Sequence, residues 1–127
     1  MKVRCIRQLE RTAPGGTTEG WISIDKEYEV LALYVNSTGG TLFRIIADDN
    51  RTPALFKDEL FEISESTIPP NWIVIRDHAG AFRFSPKAWL EPGFWERYFD
   101  HDPGAIQTFE REMRIATIGG GGAGWAD

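Results

Sequence analysis

The chain has 127 residues, 42% hydrophobic, 26% charged and 13% aromatic, with a formal net charge of −5 and a pI near 5.0. Those values fit one globular domain. They argue against a membrane span, since no apolar run approaches the roughly 18 residues required, against a phosphate-binding surface, since the balance is acidic, and against an internal disulfide framework, since Cys5 is the only cysteine.

The N-terminal MKVRCIRQLER is basic but lacks an apolar core, so it does not read as a secretory signal. With one cysteine, a reducing cytoplasm is the expected compartment. An acidic surface steers toward a basic partner or serves solubility alone.

MKVRCIRQ alternates, with Val3 and Cys5 on one face and Lys2, Arg4 and Ile6 on the other, which predicts a strand. Pro14, Gly15, Gly16 and Gly20 break regular structure in the long connection that follows. Trp21 and Ile22 are expected to fold back onto the core. KEYEVLALYV predicts one strand, with Tyr28, Val30, Ala32 and Tyr34 on one face and Glu29, Leu31, Leu33 and Val35 on the other. Asn36 to Gly40 make a hairpin turn, TLFRIIAD the return strand and Asp48 to Arg51 a second turn. TPALF is a short strand, and its Pro53 suits an edge or a strand start. KDEL reads as one tight helical turn and FEIS as a final short strand.

Strand, long loop, strand, turn, strand, turn, short strand, helical turn, short strand: this order over residues 1–65 resembles the SH3-like small barrel. The stretch KEYEVLALYVNSTGGTLFRIIADDNRTPALFKDELFEI carries the likeness, with Trp21 closing the long loop. The aromatic-rich loop and Pro-Tyr pair of peptide-binding SH3 domains have no counterpart here, so their proline-ligand groove does not carry over.

Ile68-Pro69-Pro70 is a stiff linker. NWIVIRD and AFRFS form a hairpin that extends the barrel sheet or packs against it. Ser85 and Pro86 read as the N-cap and first residue of a helix. Glu91-Pro92-Gly93 restarts a helix through FWERYF, and Asp102-Pro103 starts another, in which Ile106, Phe109 and Met113 mark a buried side. The expected fold is α+β: an SH3-like five-stranded barrel with an added β-hairpin and C-terminal helices. One domain is expected over residues 1–118, divided into barrel (1–65) and hairpin plus helices (71–118), with a flexible Gly-rich tail at 119–127.

No catalytic motif emerges. Asp100-His101-Asp102 and Asp77-His78 read as a polar corner and a turn rather than a metal site, and Cys5 as a small core residue. The glycine run from Gly119 follows a helix and lacks the lysine of a phosphate loop. Asp48, Asp49, Asp58, Glu59, Glu62 and Glu65 gather acid against Arg51 and Lys57, as one patch or two, and read as a solvated rim or a surface for a basic partner. The aromatics from Trp89 to Phe99 read first as core, second as a recognition patch.

The expected function is non-catalytic binding of a protein with a basic surface, with no cofactor, metal, nucleic acid or membrane. A short, acidic, motif-free chain of this kind resembles the small bacterial immunity proteins of toxin systems. That resemblance implies a cognate toxin occluded at its active site or substrate path. It places Asp48, Asp49, Asp58, Glu59 and Glu62 against basic groups of the toxin and makes Trp95 and Tyr98 anchors. Two other classes stay open: a ligand-binding or enzymatic pocket between barrel and helices, marked by a pair such as His78 and Glu96, and an accessory module of a phage or secretion assembly.

Overall fold

The computed structural model describes residues 1–9 and 20–120. Within them run β1 (Lys2–Cys5), β2 (Glu27–Glu29), β3 (Ala32–Val35), β4 (Thr41–Ile46), β5 (Pro53–Lys57), β6 (Phe61–Glu65), β7 (Trp72–Arg76) and β8 (Phe82–Pro86), then α1 (Phe94–Phe99) and α2 (Pro103–Gly120). Short 3-10 turns occupy Asp58–Leu60 and Lys87–Leu90. The strands form two antiparallel sheets, ordered β2-β1-β6 and β5-β4-β3-β8-β7.

The expected alternation of β1 holds: Val3 and Cys5 are fully buried. With Tyr28, Val30 and Phe61 they form a first core together with Phe43 and Ile45 of β4. A second core, on the other face of β4, joins Leu31 to Trp89, Phe94, Ala105 and Phe109 of the C-terminal segment, with Ile46 packed against it. So β4 is buried on both sides, its residues alternating between the two cores. Each such large apolar side chain contributes about 1.5–3 kcal/mol by burial.

KEYEVLALYV does not form one strand. Val30 N–H donates to Met1 C=O at 2.9 Å, and the next residue, Leu31, donates to Arg44 C=O at 2.8 Å. The backbone therefore passes from the small sheet to the large one between adjacent residues. The side-chain phase slips with it: Tyr28 and Val30 join the first core, but so does Leu33, while Tyr34 turns to Arg44 instead.

The β7–β8 hairpin extends the large sheet, with Leu33 opposite Phe84. Pro53 is the first residue of an edge strand, as expected. Two further expectations are corrected. Ser85 is no helix cap: it and Pro86 end β8, Pro86 lies opposite Trp72, and the Ser85 hydroxyl donates to Pro86 C=O. Ile22 is buried, but Trp21 stays 46% exposed and does not close the loop onto the core. Pro14, Gly15 and Gly16 lie outside the described residues, as does the tail from 121, while Gly119 and Gly120 belong to α2.

Candidate functional site

The acidic residues separate into two groups with different roles. Asp48, just after β4, accepts from Ser23 Oγ at 2.6 Å, Tyr28 OH at 2.6 Å and Lys26 Nζ at 2.9 Å. Its backbone N–H also donates to Trp21 C=O. It thus latches the incoming loop to the β4–β5 turn. Partial burial pushes its carboxyl up, but those hydrogen bonds outweigh it and the net shift is down. Asp49 accepts from the backbone N–H groups of Arg51 and Thr52 and from the Thr52 hydroxyl, which hold the turn in which Asn50 sits at φ +59°. The Thr52 hydroxyl foremost, then the two N–H groups, hold the Asp49 carboxyl below its ordinary value.

Asp58 and Glu59 stand exposed on the 3-10 turn at the far end of β5, with no side-chain partner among the described residues. Glu62 is exposed on β6 and pairs with Arg4 at 3.4 Å. Strand β5 separates the two groups by about 13 Å, at roughly 3.3 Å per residue.

The aromatic stretch is largely packed. Trp89 stacks on Phe109 with centroids 5.0 Å apart, Tyr98 lies 4.8 Å from Phe109, and Phe94 meets Trp95 edge-on at 5.0 Å. Trp89 and Phe94 are buried, Trp95 and Tyr98 half-buried, and Phe99 is 47% exposed. The 3.6-residue period puts Tyr98 and Phe99 on the side of α1 that meets α2 and the β4–β5 turn.

There they border a groove of about 810 Å³. Its floor is Ile46, Ile106, Phe109 and Met113. Its rim carries the cations Arg51 and Arg114 and, among the described residues, one acid, Glu110, with His101 beside them. Burial first, and Glu110 second, push the Tyr98 hydroxyl up, while Arg51 opposes them. His101, at φ +65°, makes the corner between the helices. His78 lies on the exposed β7–β8 turn and lines neither the groove nor the cavity that Glu96 borders. No group of His, Cys, Asp and Glu among the described residues has the geometry of a metal site. Cys5 Sγ lies 3.3 Å from Arg7 C=O, and burial pushes its thiol up, away from nucleophilic use.

Sequence reasoning missed two things. The groove is built from residues 50–52 and 98–114, far apart in the chain, and no local pattern joins them. Arg44, only 8% exposed, sits in β4 with its guanidinium 4.0 Å from the Trp95 ring. A charge flanked by Phe43 and Ile45, inside a strand between two hydrophobic cores, was the available signal.

No protein-family model matches the chain, and no curated protein or solved structure is significantly similar to it.

Proposed function

We propose that this chain is a non-catalytic protein-binding module whose docking site is the groove between the β4–β5 turn and the two helices. One observation carries the reading: the groove is open, has an apolar floor, and leaves Phe99 47% exposed at its wall. Exposed aromatics beside an apolar cleft are what protein partners bury as anchors. The rim sets the occupant. Arg51 and Arg114 outnumber Glu110, so the groove takes a partner segment with an apolar side chain flanked by carboxylate. Asp58, Glu59 and Glu62, beyond β5, steer basic groups elsewhere on the same partner.

In type, this is the work of a small immunity protein that occludes a toxin, and we assign the chain to that class of function. We also propose that residues 1–65 form an SH3-like barrel. The strand handover at Val30–Leu31, the β1–β6 pairing and the 3-10 turn between β5 and β6 support that reading. The same groove favours a second reading, a small amphiphilic ligand, because its volume lies within the range of small-molecule sites.

The test is capture of partners from native lysate at low and moderate salt, followed by reconstitution with the purified partner. A one-to-one complex weakened at least about tenfold by Phe99→Asp, and measurably by Arg51→Glu, is the expected result. A complex indifferent to both substitutions overturns the groove as docking site. Absence of any protein partner, with saturable uptake of an amphiphile, favours the second reading.

A further inference from the structure

We propose that Arg44 and the cavity beside it form a binding site for a single carboxylate group, separate from the groove. Arginine is a permanent cation, and burying a cation without an anion is costly. Arg44 is buried, yet its contacts are neutral: Nη1 donates to Pro53 C=O at 2.8 Å, Nε to Tyr34 OH at 3.3 Å, and its face lies on Trp95. No carboxylate pairs with it among the described residues, and no hydrogen bond engages Nη2.

The cavity, about 250 Å³, lies between Arg44, the Lys87–Leu90 turn and the start of α1. Its walls offer donors. The Tyr34 hydroxyl accepts from Arg44, so its own hydrogen is available. Trp89 forms another wall, with its indole N–H buried away from the cavity. Donors without acceptors select a ligand that only accepts, which is an anionic oxygen. The lining charges then choose which anion. Glu91 and Glu96 also line the cavity, so a monoanion meets less repulsion from them than a phosphate dianion does. Leu90, Pro92 and Phe94 add apolar wall, so the carboxylate sits on a short apolar or aromatic stem. The groove and this cavity share no lining residue, so the two proposals stand or fall separately.

The experiment titrates the intact protein with benzoate, acetate and inorganic phosphate at constant ionic strength, reading tryptophan fluorescence and the thermal midpoint. Benzoate is expected to saturate and raise the midpoint, and phosphate to do neither. Arg44→Gln should weaken benzoate at least about tenfold, and Arg44→Lys less. Tyr34→Phe keeps the ring and removes the hydroxyl, and should weaken benzoate roughly threefold even if Arg44→Gln fails to fold. Glu96→Gln should strengthen it. A peptide carrying one glutamate between apolar residues, against its glutamine twin, separates the sources: tighter binding than benzoate, lost in the twin, points to a partner's side chain, and benzoate binding alone to a free acid. No saturable response to benzoate or to the peptide overturns the site. So does benzoate binding unchanged in Arg44→Lys and Tyr34→Phe. So does a fall in the midpoint on Glu96→Gln as large as on Arg44→Gln, which would mean that Glu96 itself neutralises Arg44.

Discussion

Asp48 shows how a single carboxylate holds a loop. It accepts from three side chains that lie 20 to 25 residues away in the chain. Asp48→Asn should cost about 1–2 kcal/mol in chemical denaturation at neutral pH, the loss of charge-assisted hydrogen bonds. The pH dependence follows from the sign of the shift. A carboxyl held low in the folded state stabilises above its ordinary value, near 3.9, and loses that contribution as pH falls through the folded value. The gap between wild type and Asp48→Asn should therefore close below about pH 4. Tyr28 behaves in the opposite sense. Burial, then the hydrogen bond to Asp48, push its hydroxyl up to about 12. Its contribution is present below the ordinary value of about 10 and is lost as pH rises toward the folded one. A Tyr28→Phe variant should lack that alkaline loss in a stability profile. By sequence alone, Asp48 is a candidate partner contact. Its acidity was legible, but Ser23, Lys26 and Tyr28 reach it only through the fold.

At the scale of elements, two similar dipeptides had different outcomes. Asp102-Pro103 starts a helix as its chemistry implies, with Asp102 Oδ2 accepting from Ala105 N–H at 2.9 Å. Asp102→Ala should cost about 1 kcal/mol, measured by thermal or chemical unfolding. Ser85-Pro86 carries the same local signal, yet pairing opposite Ile73 and Trp72 draws it into β8. Local capping is worth about 1 kcal/mol, which sheet pairing and burial exceed. Gly93, at φ +79°, precedes α1, and a Cβ there would lie 3.4 Å from Arg97 Nη1. Gly93→Ala should destabilise by about 1 kcal/mol, chiefly from the left-handed backbone. Short strands with clear turns between them were legible because alternation and glycine placement are local. The break at Val30–Leu31 was not, because both halves of KEYEVLALYV satisfy a strand pattern and only the two partner sheets divide them.

At the scale of the molecule, the large sheet carries a core on each face, and the groove opens where the second core reaches its edge at Tyr98 and Phe99. Phe109 ties that core together and also floors the groove. Phe109→Ala should cost about 3–5 kcal/mol and weaken the near-ultraviolet dichroism of the tryptophans. By contrast, Asp58→Lys with Glu59→Lys should leave stability within about 0.5 kcal/mol, because neither side chain has a partner among the described residues. The same pair should slow association with a basic partner and flatten its salt dependence. The density of aromatics near the C-terminus was visible in the sequence. Which of them would stay exposed was not, since that depends on where residues 50–52 come to rest against α2.

The central claim is that the groove receives a protein partner. Site-specific photo-crosslinking from position 99, in native lysate, tests it most directly, with position 74 on exposed β7 as control. One dominant protein adduct from position 99, absent from position 74 and lost with Arg51→Glu, is the expected result. Equal adducts from both positions, or none from position 99, would contradict it.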